Sequence, residues 1–124
     1  MSNLTPDQAA ALTTLTALRS QLRGAFIGRD QEVDSLLTAL VGRTHLLLLG
    51  PPGTAKSLIT QVFSSALGGR YFQRLLTPVS TPEEVMGPYD LGALDSGRYE
   101  RAVDGYLPTA QVAFLDEVFK ANSA

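Results

Sequence analysis

The feature that most constrains the fold of this chain is a glycine-rich segment that lies between a short apolar run and a helix-like pattern. The apolar run is His45 to Leu49, and the pattern after the segment ends at Gly68-Gly69. A continuous apolar run that stops at a glycine-proline turn is typical of a strand buried on both faces of a parallel sheet. We therefore predict a strand at 45–49, then a loop, then a helix from Ser57 to Leu67. The loop reads Gly50-Pro51-Pro52-Gly53-Thr54-Ala55-Lys56-Ser57.

A loop in this position has the chemistry of a phosphate-binding site. A compact turn aims several backbone N–H groups into one concavity, and the following helix adds its positive dipole end. Lys56 supplies a mobile cation for the β- and γ-phosphates, and the Ser57 hydroxyl can bind the Mg²⁺ that bridges them. We therefore predict an ATP and Mg²⁺ site that extends from Gly50 to Leu58. The competing interpretation is a lysine at the start of an ordinary helix, but it does not account for strand, loop and helix occurring together.

One position of the loop departs from the general pattern, in which a glycine precedes the lysine. This chain has Ala55 there. Alanine keeps the side chain small but resists positive φ. The loop can still close if Ala55 sits at a negative φ, and we interpret the sequence as a functional variant of the pattern.

A second apolar run, Val112 to Leu115, leads directly into the carboxylates of Asp116 and Glu117. The carboxyl end of a strand is where ligands bind in open α/β sheets. We predict that Asp116 holds magnesium, through its water shell, and that Glu117 orients and polarises the attacking water as general base. Lys56 and Glu117 are thus the predicted catalytic residues, and Ser57 and Asp116 the predicted metal ligands. An apolar strand ending in Asp-Glu is equally compatible with a simple turn, and it is the upstream phosphate loop that favours the functional interpretation.

Capping signals predict the helices outside these motifs. Thr5-Pro6-Asp7 combines an N-cap residue, a proline at the first helical position and an acid in the first turn, and this helix is expected to end at Gly24. A second helix is predicted from Asp30 to Gly42, and a short one begins at Thr81-Pro82. The residues of the first two helices that are predicted to face the core are Leu12, Leu15, Leu18, Leu22, Val33, Leu36, Leu37 and Leu40.

The rest of the chain is predicted to hold one more strand and one irregular excursion. Arg70 to Leu76 reads as a strand, and the glycine-flanked stretch from Leu91 to Tyr106 reads as a hairpin-like excursion of low regularity. Arg98 and Arg101 lie within it, and we interpret them as solvated surface charge, with contact to a partner or a pore as the alternative. His45 is interpreted as a structural residue of its buried strand.

Composition excludes several classes of protein. The chain has 124 residues, a net charge of −2 and no cysteine, so disulfides and thiolate metal sites are excluded. The cations are scattered, and nucleic acid is therefore not expected as a partner. No uncharged apolar run is long enough to span a bilayer, and the N-terminus lacks the pattern of a signal peptide. We predict a cytoplasmic protein that does not insert into membranes.

Three motifs, taken together, resemble those of the AAA+ ATPases, and the MoxR family within them is the most similar. They are Phe26-Ile27-Gly28-Arg29, the phosphate loop (Walker A) and the Val112 to Glu117 strand (Walker B). The Ala55-Lys56 form of the loop is usual in that branch. The stretches from Ser80 to Pro88 and from Gly97 to Pro108 are similar to the RavA-like subgroup. The resemblance covers essentially the whole chain.

The resemblance implies further properties that composition does not show. Phe26, Ile27 and Gly28 would line the adenine pocket, although without the family they read as a helix-joining turn. The excursion near 91–106 would be the hairpin inserted in the second helix of these ATPases. The full-length protein would form a ring with itself, usually a hexamer, in which a neighbour supplies an arginine to the γ-phosphate. It would act like a chaperone on other complexes, beside a protein with a von Willebrand factor A domain.

The expected fold class is α/β: a three-layer P-loop NTPase (AAA+) core with a parallel sheet, truncated after the Walker B strand. We expect residues 1–124 to form the N-terminal part of one ATPase domain, with helices at 1–43 and the P-loop core at 44–124. The 124 residues alone are expected to be inactive in hydrolysis. Two other functions stay open from the sequence: a nucleotide-dependent protein-interaction module without productive hydrolysis, and a DNA-directed AAA+ motor, against which the acidic charge balance counts.

Overall fold

The structure is a computed structural model that describes residues 4–51 and 53–121, and it is an α/β protein with a small parallel sheet. It divides into two compact units, one ending at Ile59 and the other beginning at Thr60. Two 3₁₀ turns, Leu107–Thr109 and Val118–Lys120, flank the last strand. In chain order the helices and strands are α1 Pro6–Ala25, α2 Asp30–Gly42, α3 Lys56–Leu67, β1 Tyr71–Leu75, α4 Pro82–Met86, α5 Leu91–Asp95 and β2 Val112–Asp116.

The start of α1 confirms the capping prediction. The Thr5 hydroxyl accepts from the backbone N–H of Gln8, and the Gln8 side chain accepts in return from the backbone N–H of Thr5. This reciprocal pair satisfies two donors that a helix start leaves without intrahelical partners. Only the later part of the predicted apolar stripe is buried: Leu18 and Leu22 are buried, whereas Leu12 is 54% exposed.

Helix α2 buries Val33, Leu36 and Leu37 as predicted, while Leu40 is 37% exposed. An ion-pair network joins α2 to α1, because Asp34 accepts from Arg19 at 2.7 and 2.6 Å and from Arg23 at 2.6 Å. The Arg19 guanidinium lowers the pKa of the Asp34 carboxyl to about 2. The first two helices therefore pack as a pair through apolar side chains with charges at their edge.

The predicted strand at His45 to Leu49 is wrong. Residues 44–50 form neither helix nor strand, and Leu49 is 77% exposed. His45 is exposed as well. A strand exists through backbone hydrogen bonds to a neighbouring strand, and in the described part of the chain the sheet consists of β1 and β2 alone. An apolar run indicates that a segment tends to be buried, but it does not indicate whether a neighbouring strand is available for pairing.

Strands β1 and β2 were both predicted, and they pair in parallel, as expected for the sheet of this fold class. Tyr71 pairs with Val112 and Leu75 with Asp116, so both carboxyl ends lie at the same edge of the sheet. The ladder continues for one bond, in which the Leu76 N–H donates to the Asp116 carbonyl over 2.9 Å. Asp116 is therefore fixed by the backbone at the end of its strand.

The part of helix α3 that lies in the second unit, from Thr60 onward, contacts β1. The Thr60 hydroxyl lies 3.1 Å from the Tyr71 hydroxyl, and Phe63 and Phe72 are both buried. Burial raises the pKa of the Tyr71 phenol. The helix ends at Leu67, and the next residue, Gly68, has a φ of +66°, the left-handed conformation expected of a glycine that follows a helix.

The excursion after α4 is hairpin-like at its base and helical inside. Backbone bonds join Ala102 N–H to the Pro88 carbonyl (2.8 Å) and Asp90 N–H to the Glu100 carbonyl (2.9 Å). The five residues of α5 lie between these two arms, capped by the Asp90 carboxylate, which accepts from the Ala93 N–H. No helix in the described ranges 4–51 and 53–121 is both long and apolar enough to cross a membrane.

Candidate functional site

The phosphate loop is held together by the side chain of its lysine. Lys56 Nζ donates to the Gly50 carbonyl over 2.9 Å, to the Pro51 carbonyl over 2.8 Å and to Thr54 Oγ1 over 3.3 Å. The Thr54 hydroxyl in turn donates to the Pro51 carbonyl over 2.9 Å. The ammonium group therefore lies across the loop, bound to carbonyl and hydroxyl oxygens, and in contact with the segment predicted to cradle phosphate. The predicted ligand residue Pro52 lies outside the described residues.

The backbone of the loop contains two left-handed residues. Gly53 has φ +76°, which glycine adopts freely, and Ala55 has φ +59°. The loop therefore closes with Ala55 at positive φ, and the negative φ that the sequence suggested as the condition for closure is not observed. The left-handed conformation costs a residue with a Cβ roughly 1–2 kcal/mol, so the loop stores strain at the residue before the lysine. Such strain persists where the surrounding structure holds it, and it concentrates at functional sites.

The start of α3 has the polarity that an anion needs. The Ile59 N–H donates to the Ala55 carbonyl over 3.0 Å, which begins the helical bonding. Twelve residues follow in the helix, and its first turn contains no acidic residue. A helix N-terminus of this kind attracts phosphate through its N–H groups and its dipole. The first turn also contains the cation of Lys56 and the neutral hydroxyl of Ser57. Ser57 is half-buried, and Leu58 is 51% exposed.

The acidic pair lies in a tight turn at the end of β2. The Glu117 N–H donates to Asp116 Oδ1 over 2.9 Å, which fixes the rotamer of the aspartate. Glu117 has φ 57° and ψ 36°, a left-handed residue without glycine's freedom. Lys120 contacts it twice, by donating its backbone N–H to the Glu117 carbonyl over 2.8 Å and by an ion pair of 3.2 Å between Lys120 Nζ and Glu117 Oε2.

The donors present suit Mg²⁺ only together with a phosphate ligand. Within the described part of the chain no group of three or more histidine and acidic side chains could hold a metal on its own. One hydroxyl and one carboxylate are the protein share that Mg²⁺ typically takes when it keeps several waters and binds nucleotide phosphates. The phosphate loop belongs to the unit ending at Ile59 and the acidic pair to the unit beginning at Thr60. Their use in one site stays a prediction.

The residues predicted to contact adenine form the turn between α1 and α2. The Arg29 N–H donates to the Phe26 carbonyl over 3.1 Å, and Gly28 has φ +75°. Phe26 is half-buried, whereas Ile27 is 92% exposed. The turn thus presents a large apolar side chain to solvent, which is compatible with a base-binding role.

Two functional or structural contacts were missed by sequence reasoning. Arg101 is not solvated charge: its guanidinium donates to the Gly87 carbonyl, approaches Glu83 to 3.5 Å and lies 4.3 Å from the centre of the Tyr89 ring. No local pattern in the sequence signals these partners. The second contact that sequence reasoning missed is the ion pair between Lys120 and Glu117. The spacing of three residues between them was the signal that could have revealed this pair. Arg98 is exposed and pairs with Glu100, as its interpretation required.

Comparison with known proteins defines the class. Residues 13–124 match the family described as the MoxR domain in the MoxR-vWA-beta-propeller ternary systems. The match covers most of the chain, and the parallel sheet and glycine-rich loop agree with it. The chain therefore belongs to the MoxR family of AAA+ ATPases.

Individual relatives are consistent with this assignment. The chain is 42% identical over 111 residues to each of two uncharacterized proteins of Methanocaldococcus jannaschii, a match to 89% of this chain and to 30% and 29% of theirs. It is 33% identical over 79 residues to the chaperone MoxR1 of Mycobacterium tuberculosis, covering 64% of this chain and 21% of that protein. The chain thus spans less than a third of the length of each of these three relatives.

Proposed function

We propose that this chain provides the nucleotide-binding part of a MoxR-type ATPase, which binds ATP with Mg²⁺ and hydrolyses it. The observation that carries the proposal is the loop spanned by the Lys56 ammonium at the start of α3. Family membership supports the general assignment to AAA+ ATPases. Hydrolysis, the roles of individual residues and the action on other proteins are the parts that we add.

When ATP binds, the Lys56 ammonium group would exchange its hydrogen bonds to loop oxygens for hydrogen bonds to phosphate oxygens. Its ammonium group bonds to two carbonyls and one hydroxyl of the loop, and phosphate oxygens are stronger acceptors because they are charged. A triphosphate seated on the N-terminus of α3 would take over these bonds. The residues Gly50 to Leu58 would surround the β- and γ-phosphates, and Phe26, Ile27 and Gly28 would contact the adenine.

Ser57 and Asp116 would hold the Mg²⁺ ion, Ser57 directly and Asp116 through water. When bound, this ion neutralises charge on the β- and γ-phosphate oxygens. Asp116 is prepared for the role because the Glu117 N–H fixes Oδ1 and the Leu76 N–H fixes the carbonyl. The other carboxylate oxygen, Oδ2, is not the acceptor of this hydrogen bond.

Glu117 would orient the water that attacks the γ-phosphorus and accept its proton. The carboxylate projects from the residue directly after the magnesium ligand, as a general base beside the metal requires. Water attack forms the new P–O bond, the bond to the β-phosphate oxygen breaks, and ADP and phosphate leave. The proton from water passes to the Glu117 carboxylate.

The cellular role that we propose is remodelling or assembly of protein complexes in the cytoplasm by a ring of subunits. The family description names a von Willebrand factor A domain protein as a companion of this domain, and the relative from Mycobacterium tuberculosis is named a chaperone. Both support a protein client in preference to nucleic acid. Membership of the RavA-like subgroup and the hexameric state are part of this proposal.

The test is ATP hydrolysis by the full-length protein and its Glu117→Gln variant. Removing a general base lowers kcat by about 100-fold or more, while ATP affinity should remain because Glu117 would act on the attacking water and not on the bound phosphates. Glu100→Gln is the matched control, since Glu100 is an exposed glutamate with an ion pair to Arg98. A wild-type protein that binds ATP without turnover would instead support a nucleotide-dependent interaction module.

A further inference from the structure

The turn after β2 restrains Glu117 from both sides. Ahead of it, Asp116 Oδ1 accepts the Glu117 N–H over 2.9 Å. Behind it, the Lys120 N–H donates to the Glu117 carbonyl over 2.8 Å, and Lys120 Nζ lies 3.2 Å from Glu117 Oε2. The backbone and the side chain of Lys120 therefore engage the same residue.

The geometry of the turn explains why Lys120 reaches the carboxylate. Glu117 is left-handed and caps the 3₁₀ turn Val118–Lys120. In a 3₁₀ turn, residues three apart lie one above the other, which brings the Lys120 ammonium group within reach of the Glu117 carboxylate. A residue with a Cβ stays left-handed only where its surroundings hold it there. These contacts supply that restraint, and the turn fixes the direction in which the glutamate leaves the strand.

The ion pair involves one of the two carboxylate oxygens of Glu117 and leaves the other for a second partner. An ionised glutamate accepts at both of its oxygens, and Lys120 engages Oε2. The contact with the ammonium group restricts the carboxylate, and Oε1 is the oxygen that remains for the attacking water. A free glutamate side chain would sample several rotamers around three torsions, most of them unsuited to holding a water in line.

The Lys120–Glu117 ion pair is too exposed to contribute much to folding stability, and we interpret its role as orienting the Glu117 carboxylate. The Lys120 side chain is 65% exposed and that of Glu117 is 39% exposed, and exposed ion pairs contribute little to folding. We propose that Lys120 is a positioning residue for Glu117, which it holds in the orientation that activates the attacking water. This inference rests on the proposed ATPase function.

The test compares the full-length wild type with Lys120→Met and Lys120→Arg in steady-state ATP hydrolysis. Met keeps the apolar stem and removes the charge, and we expect kcat to fall about tenfold with KM and ATP affinity unchanged. Arg also pairs with a carboxylate, and it should restore most of the lost kcat. Arg98→Met is the matched control, because it removes another exposed ion pair, at 2.9 Å, and should leave kcat unchanged.

A double variant separates positioning from a structural effect. If Lys120 acts through Glu117, then Lys120→Met added to Glu117→Gln should lower kcat no further, since the two residues work as one unit. Full additivity of the two losses would overturn the proposal, as would a Lys120→Met variant with wild-type or higher kcat. An inactive wild type that still binds ATP refutes the proposed hydrolysis and this role with it, whereas an active wild type matched by Lys120→Met refutes the role of Lys120 alone.

Discussion

Ala55 and Glu117 both hold left-handed backbone conformations, and each is part of one of the two motifs assigned to nucleotide chemistry. Neither residue has glycine's freedom at positive φ, so each conformation costs free energy that other contacts must offset. At Glu117 the offsetting contacts are the hydrogen bonds to Asp116 and Lys120. At Ala55 the Lys56 ammonium bridge across the loop lies directly beside the strained residue.

The strain at Ala55 gives a prediction for Ala55→Gly. Glycine removes the left-handed penalty of roughly 1–2 kcal/mol but adds chain entropy to the unfolded state, so we expect the free energy of unfolding to rise by up to about 1 kcal/mol. The measurement is urea denaturation followed by circular dichroism. Ala17→Gly, at an exposed position within α1, is the control and should instead destabilise by about 1 kcal/mol. Equal losses in both variants would show that Ala55 is unstrained.

The turn between α4 and the excursion depends on Gly87. Its φ of 91° and ψ of 150° define a conformation that is essentially restricted to glycine. A Cβ at this position would lie 2.2 Å from the Ala102 carbonyl oxygen. Arg101 donates to the Gly87 carbonyl from the opposite arm. The base of the excursion therefore closes by direct approach of two backbone segments.

We therefore expect Gly87→Ala to destabilise the protein by about 3 kcal/mol or more, because conformational strain and a clash with backbone add together. Gly97→Ala is a sharp comparison, since Gly97 has φ +73° but no neighbouring atom lies within 4 Å of the position that a methyl group would take there. That variant should lose only about 1–2 kcal/mol. Urea denaturation of both variants checks the pair, and equal losses would contradict the close approach at Gly87.

Local signals in the sequence predicted most elements, but the strand predicted at 45–49 is absent from the structure. The cap signals at Thr5 and Thr81 predicted the starts of α1 and α4, although only the Thr5 side chain makes a capping hydrogen bond, and the glycines at 68–69 predicted the end of α3. Strands β1 and β2 were predicted and pair with each other. The segment 45–49 has the same apolar character, yet pairing depends on a neighbour that its own residues do not encode.

Across the chain as a whole, the sequence predicted the positions of the two motifs better than it predicted their backbone conformation. The Lys56 loop and the Asp116-Glu117 pair were evident from their residue types and from the elements that precede them. The positive φ of Ala55 and the Lys120 contact were not, because both depend on how the backbone turns after an element ends. Family membership covers residues 13–124, so the assignment reaches both motifs even though they belong to different compact units.

We propose that the loop from Gly50 to Ser57 binds the phosphates of ATP through Lys56. The most direct measurement is binding of a fluorescent ATP analogue with Mg²⁺ to the wild type, to Lys56→Ala and to the control Arg98→Ala, after circular dichroism has shown all three to be folded. We predict that the wild type and the control bind alike and that Lys56→Ala loses at least about tenfold in affinity, because a charge-assisted bond is removed. Equal affinity of the wild type and Lys56→Ala, or no binding by a folded wild type at millimolar nucleotide, would contradict the claim.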